Sequence, residues 1–167
     1  MDKYINESAL LSLTLLDFFI ITVVSFSVLY FLFTTLTFYV FKSNYFVKYQ
    51  TKEFRTGQVK TEIKRSFVSI LMFGVLSVPM YYGLQSGFLK IKFEFAWHVL
   101  VLEALFLFFW NEFHFYSIHR IFHLKPFYKY HADHHYSHVP SPFSAYSFHW
   151  SEGILLGAVM PIIKDAA

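Results

Sequence analysis

The sequence predicts an all-α integral membrane protein: a helical bundle of three transmembrane helices and the start of a fourth, with histidine-bearing helices on the cytosolic side. Hydrophobic residues make up 56% of the 167 residues and charged residues only 15%. That is too little charge to cover the surface of a water-soluble domain of this size. Three apolar stretches also reach or approach the about 20 residues that cross a bilayer. Much of the surface is therefore expected to face lipid.

The predicted elements divide the chain, as a single membrane domain, into seven parts. They are an external N-terminus (1–12), transmembrane helices (13–41, 67–84 and 95–118), a basic cytosolic loop (42–66), a cytosolic histidine-motif region (119–152) and the start of a further membrane helix (153–163). The first apolar stretch is too long for the core of a cleavable signal peptide and has no small-residue cleavage site. We expect it to stay in the membrane.

The charges of the segment between the first two spans predict the orientation. Residues 42–65 contain seven Lys or Arg residues and two Glu residues, and the positive-inside rule assigns such a segment to the cytosol. The histidine-rich stretch then lies on the same side, where dioxygen, metal and reductant reach it. Aromatic residues lie among these charges, but topology and anionic headgroups explain the basic residues, so we expect no nucleic-acid partner.

Histidines carry the chemistry of this sequence, because it has nine of them and no cysteine. Disulfides and thiolate metal sites are excluded. Five histidines fall in one short window: His119, His123, His131, His134 and His135. On a helix the first two project from one face, and the other three repeat this geometry. A break near Pro126 lets the two helices face each other. Five imidazoles would form a nitrogen-rich site for iron or zinc, and surface imidazoles without metal are the alternative.

Other polar residues in or near the spans have simpler interpretations. His98 follows Trp97 and fits an interfacial polar group. Glu103 lies within a span, where an unpaired carboxylate is costly, so it faces the bundle interior or is protonated. His114 precedes His119 by five residues, a poor spacing for one helical face. His138 follows His135 by three residues and continues the face of that motif.

The stretch from residue 112 to residue 152 resembles the fatty acid hydroxylase/sterol desaturase superfamily. The resemblance rests on an acidic residue, two histidine boxes, a Ser/Pro-containing loop and a final Phe-His-x-x-Glu motif. In this sequence they are Glu112, Tyr116, His119-Arg120-Ile121-Phe122-His123, His131-Ala132-Asp133-His134-His135, residues 137–143 and Phe148-His149-Trp150-Ser151-Glu152. Only seven residues separate the two boxes, which favours this branch over acyl-lipid desaturases.

The resemblance implies a cytosolic di-metal site that hydroxylates or desaturates a C–H bond of a fatty acid or sterol. It implies two iron ions, with zinc as a substitute in isolated protein, and dioxygen as co-substrate. Electrons come from a partner such as a ferredoxin or cytochrome, because the sequence has no glycine-rich phosphate loop. The implied ligands are His119, His123, His131, His134 and His135. Additional or supporting residues are Glu112, His114, Arg120, His138, His149 and Glu152, with Arg120 bracing the first helix through Glu112.

Two departures from the family pattern bear on activity. Asn111 stands where many bacterial members have histidine, and the family's further His-x-x-His-His box is missing. We therefore expect a chain that stops before its site is complete, either as a fragment or as a natural short form.

Two other functions remain open. One is a non-catalytic fragment or pseudoenzyme with a partial metal site. The other is a metal transporter or sensor, which the scattered span residues Asp17, His98 and Glu103 disfavour. A bacterial inner membrane is expected rather than the endoplasmic reticulum, since no retention signal is present.

Overall fold

The computed structural model describes residues 11–42, 53–89, 96–132, 135, 137 and 139–159, and these residues form only helices, turns and loops. The helices are α1 (Leu15–Lys42), α2 (Gln58–Gln85), α3 (Trp97–Phe122), α4 (Tyr128–His131), a 3-10 helix (Pro142–Tyr146) and α5 (Trp150–Gly157). The predicted all-α class with three apolar helices is confirmed.

Helices α1, α2 and α3 are long and apolar enough to cross a membrane. They have 28, 28 and 26 residues, which at about 1.5 Å per residue exceeds the about 30 Å of a hydrocarbon core. Large apolar side chains cover their exposed surfaces, as expected for helices that face lipid. The chain is therefore a membrane protein.

Helix α2 starts earlier than the sequence suggested. The basic segment was expected to remain a loop to residue 66, but α2 begins at Gln58. The reason is that one polar face of these first turns is buried against the protein. Gln58, Glu62 and Ser66 recur every four residues and are all buried. Their side chains form hydrogen bonds with the rest of the protein, and the helix pairs its own backbone N–H and C=O groups. Helix α3 likewise runs past residue 118 to Phe122.

Small residues on α2 and α5 set the distances between α2 and the two helices that it contacts, α1 and α5. A Cβ atom at Gly74 would lie 2.6 Å from Val23 Cγ2 of α1. On α5, a Cβ atom at Gly157 would lie 2.7 Å from Phe73 Cδ1, and one at Gly153 would lie 3.3 Å from Ser69 Oγ. Without a hydrophobic force between helices in lipid, close approach at small residues supplies the packing energy. Helices α1 and α5 therefore pack on two faces of α2.

Polar side chains of α1 and α2 hold the loop that precedes α5. The hydroxyls of Tyr30 and Ser66 both donate to the carbonyl oxygen of Phe143, at 2.7 Å and 3.1 Å. The Gln58 amide donates to the carbonyl of Val139 at 2.7 Å. Because buried carbonyl groups must be paired, these side chains allow an irregular segment to run through the interior.

The second histidine motif is not carried by one helix in the described part of the chain. The spacing of its three histidines predicts that they lie on successive turns of one helix, yet α4 ends at His131 and His135 lies outside it.

Helix α5 starts at Trp150 rather than near residue 153 and ends at Gly157. At eight residues it is too short to cross a bilayer, and residues 160–163 of the expected further membrane helix lie outside the described residues.

Candidate metal centre

Four histidines meet where α3 ends. His119 lies on the last turn of α3, His123 is the C-cap residue directly after it, His131 is the last residue of α4, and His135 follows α4. One ring nitrogen from each lies within 4.8 Å of the others. The four residues span a reversal of the chain, in which the backbone N–H of Tyr128 donates to the carbonyl of Leu124 at 3.0 Å. This turn brings α4 back against the end of α3.

The spacing of the rings fits metal coordination. Nε2 of His119 and Nε2 of His123 are 3.0 Å apart. Two nitrogens bound to one ion at about 2.0–2.1 Å lie about 2.9 Å apart at a right angle and about 3.4 Å apart at a tetrahedral angle. The 4.8 Å limit for the whole set exceeds the about 4.1 Å that opposite ligands of one ion span. The four nitrogens are therefore about as close together as the ligands of a metal site must be.

His131 is the buried member of the cluster and has a carboxylate behind it. Its Nδ1 lies 2.8 Å from Oε1 of Glu152, and the side chains are 0% and 1% exposed. Glu152 lies in the first turn of α5, where the helix dipole favours a negative charge. With Nδ1 directed at the carboxylate, Nε2 is the ring nitrogen that would bind a metal. A histidine oriented by a carboxylate in this way is a recurrent feature of metal sites.

His135 completes the cluster from its exposed side. Its ring centroid lies 4.6 Å from that of His131 and 5.2 Å from that of His123. Desolvation, followed by the neighbouring His123, lowers the pKa of His135 below its ordinary value of 6.5. The neutral imidazole is the form that binds metal. The environment therefore favours the ligand form near neutral pH.

The remaining candidate residues have other positions. His134 and His138 lie outside the described residues. Glu112 is exposed on α3, and Arg120 donates instead to the hydroxyl of Tyr116 at 2.9 Å. The expected contact between Arg120 and Glu112 is thus replaced by a hydrogen bond between Arg120 and Tyr116.

Two further histidines serve α5. His149 is its N-cap, and its Nδ1 accepts from the backbone N–H of Ser151 at 3.3 Å. His114 Nε2 lies 2.8 Å from the carbonyl oxygen of Leu155. The last carbonyls of a helix have no partner within it, so His114 closes the end of α5. Both residues position this helix, and through it Glu152.

An apolar cavity of about 500 Å³ lies beside the cluster and is lined by residues of α1, α2, α3, α5 and the 3-10 helix. Phe115 belongs to both features. It lines the cavity, and its ring stacks on that of His119 with centroids 5.7 Å apart. The ring of Phe115 therefore lies between the cavity and His119.

A buried polar network lies between α2 and the loop that precedes α5, and it was not predicted. Glu62 accepts from the Ser141 hydroxyl, and from the Gln58 amide at 2.8 Å. The charge pattern of the sequence identifies Glu62 only as an acidic residue of a basic segment. The signal that the sequence does contain is the spacing of Gln58, Glu62 and Ser66 every four residues, which places three polar side chains on one face of α2.

Comparison with known proteins agrees with the histidine motifs. Residues 104–164 match the family model described as fatty acid hydroxylase. The Delta(7)-sterol 5(6)-desaturase ERG3B of Gibberella zeae is 33% identical over 60% of this chain and 32% of its own length. The lathosterol oxidase of Homo sapiens is 29% identical over 81% of this chain and 47% of its own length. The Delta(7)-sterol 5(6)-desaturase erg3C of Aspergillus fumigatus is 31% identical over 75% and 40%.

The chain thus spans less than half the length of these relatives. No solved structure gives a significant match to this chain. The family match, the three relatives and the clustered histidines agree on one conclusion. The chain belongs to the fatty acid hydroxylase/sterol desaturase superfamily.

Proposed function

We propose that this protein acts as a membrane oxidoreductase that hydroxylates or desaturates a C–H bond of a lipid, with dioxygen and external electrons. One observation carries the proposal: a cluster of four imidazoles adjoins an apolar cavity, and Phe115 contacts both. The relatives' names refer to sterols, so sterols are the first lipid class to test, followed by fatty acids.

The donor set suits iron. It consists of imidazole nitrogens, which bind iron and zinc alike, and Glu152 fixes the ring of His131. His119, His123, His131 and His135 would hold the metal, with His134 as a further proposed ligand. Iron bound there supplies the redox chemistry with dioxygen that an unactivated C–H bond requires.

The protein's own residues bind and align the lipid. Phe26, Phe73, Met80 and Leu156 belong to the apolar lining of the cavity, so an apolar body is stabilised there by burial. Phe115 directs the end of that body towards His119.

The proposed location follows from the basic residues. Lys60, Lys64 and Arg65 lie on the first turns of α2, at the same membrane face as the C-terminal end of α3, because consecutive spans alternate in direction. The positive-inside rule makes this face cytosolic. There a soluble or membrane-bound electron donor, such as a ferredoxin or cytochrome, reaches the cluster. We propose a bacterial inner membrane as its location.

The test is a comparison of lipid extracts. The chain and its His119→Ala variant are expressed at equal levels in a host that makes Δ7-sterols and fatty acids, and the lipids are analysed by mass spectrometry. The proposal predicts a lipid that has gained one oxygen atom or lost two hydrogen atoms, only with the unaltered chain. A chain that binds metal but leaves both lipid classes unchanged would contradict it and favour a non-catalytic protein.

A further inference from the structure

The cavity beside the histidine cluster contains a polar group with no role in the fold. Most of its lining is apolar, and the polar side chains in it are Thr22, Ser77, Asn111, His114 and Tyr146. Three of these already have partners. Thr22 donates to the carbonyl of Phe18 at 2.8 Å, Ser77 to that of Gly74 at 2.6 Å, and His114 pairs with Leu155. Their hydrogen bonds serve the helices themselves.

Asn111 differs from these three residues. Its side-chain amide makes no hydrogen bond with any residue in the described part of the chain. It is exposed and lies near the middle of α3, eleven residues before the end of the helix at Phe122, or about 16 Å along its axis. A polar amide at this depth is costly unless it is paired, and such residues in membrane spans are as a rule functional.

Tyr146 is the other polar side chain of the lining without such a partner, and its ring has a structural role. It stacks on Tyr30 with centroids 5.6 Å apart and meets Phe73 edge-on at 5.4 Å. These contacts bury it between α1 and α2, so packing alone accounts for Tyr146. No comparable packing accounts for an amide at residue 111.

The position of Asn111 relates it to the metal centre. Asn111, Phe115 and His119 follow one another every four residues, so they lie along one face of α3. Asn111 is eight residues, about 12 Å, before His119. Asn111 lies about 6 Å along the helix axis from Phe115, so a molecule in the cavity with one end against Phe115 has Asn111 within its length.

We propose that Asn111 recognises the polar group of the lipid: a single hydroxyl or carbonyl oxygen on an otherwise apolar body. The amide donates to this oxygen and accepts from a hydroxyl, and the lipid then points its apolar end towards the histidines. This proposal rests on the proposed function, since it takes the occupant of the cavity to be the substrate. A sterol and a long-chain alcohol share this chemistry.

The test measures binding to metal-free protein, so its result does not depend on catalysis. The purified chain in lipid nanodiscs binds a tritiated sterol, and unlabelled competitors are compared in pairs that differ only by the hydroxyl. The pairs are cholesterol with cholestane and hexadecanol with hexadecane. Asn111→Leu removes the amide and keeps a side chain branched at Cγ, and Asn111→Ser keeps a hydrogen-bonding group. Thr22→Val is the matched control, because its hydroxyl is already bonded to α1.

The proposal predicts that the unaltered chain prefers the hydroxylated member of one pair by about ten-fold, the value of one neutral hydrogen bond. The pair that shows the preference identifies the sterol or the acyl source. Asn111→Leu abolishes the preference, Asn111→Ser retains part of it, and Thr22→Val retains all of it. Equal binding of both members by the unaltered chain would overturn the proposal, as would a preference that survives Asn111→Leu or is lost in Tyr146→Phe. If the unaltered chain shows this preference but oxidises no lipid, the result would instead count against the proposed function.

Discussion

Nδ1 of His131 and Oε1 of Glu152 lie 2.8 Å apart although 21 residues separate them in the sequence. This contact joins two motifs that are separate in the sequence, the second histidine box and the Phe148–Glu152 motif. It is also the most buried polar contact of the cluster. The second motif thus supplies a carboxylate that orients His131, a proposed metal ligand of the first.

Replacing Glu152 tests this role. Glu152→Ala is expected to weaken metal binding by about 10- to 100-fold, the usual effect of removing a group that orients a ligand. Glu152→Gln should restore part of the affinity, because its amide oxygen still accepts from Nδ1–H. Zinc dissociation constants from competition with a chelator measure both effects. Glu112→Gln, an exposed carboxylate on α3, is the control, and equal affinities in all four proteins would refute the assignment.

The pKa of His135 gives a prediction for pH dependence. Its pKa lies below 6.5, so the folded protein favours the neutral ring more than the unfolded chain does. Stability from this group is complete above pH 6.5 and is lost as the pH falls towards the lowered pKa. An NMR titration of His135 in metal-free protein should therefore give a midpoint below 6.5. A midpoint at or above that value would show that the ring is not desolvated.

The buried network around Glu62 should contribute to stability. Ser141→Ala removes the hydroxyl that donates to Glu62 and leaves a buried carboxylate with one fewer partner. We expect the free energy of unfolding to fall by about 1–3 kcal/mol, measured by denaturation in detergent. Ser25→Ala, at an exposed serine of α1, should change it little. A Ser141→Ala protein as stable as this control would mean that the network does not hold the loop.

The contact between α1 and α2 depends on Gly74. A side chain at residue 74 meets Val23 and Phe19 at once, so Gly74→Leu must push the helices apart. Overpacking of this kind costs about 1–3 kcal/mol, and the melting temperature in detergent should fall accordingly. The neighbouring Val75 is exposed, and Val75→Leu should leave the melting temperature unchanged. Equal melting temperatures would place the helix contact elsewhere.

Much of the fold could be predicted from the sequence because lipid imposes simple rules. Helix α1 is apolar on all sides, and its length alone identifies it. The histidines of α3 were predictable for a similar reason, since a spacing of four places His119 and His123 on one face of any helix.

Other features depend on tertiary contacts, which composition does not reveal. The start of α2 at Gln58 was missed because its first turns are polar, and their polar face is buried only by the loop at Ser141. The pairing of Glu152 with His131 was missed because α5 and α4 meet only in the folded chain. The spacing of five between His114 and His119 did suggest different roles, and His114 does bond to Leu155.

The most direct test of the account is the metal content of the purified chain after loading with ferrous iron or zinc under anaerobic conditions. The account predicts at least one ion per chain, measured by elemental analysis. Metal should be lost in His119→Ala and in His131→Ala and retained in His98→Ala, whose histidine lies at the other end of α3. A chain that binds no metal, or a His119→Ala protein that binds as much as the unaltered one, would contradict the central claim that these four imidazoles form a metal centre.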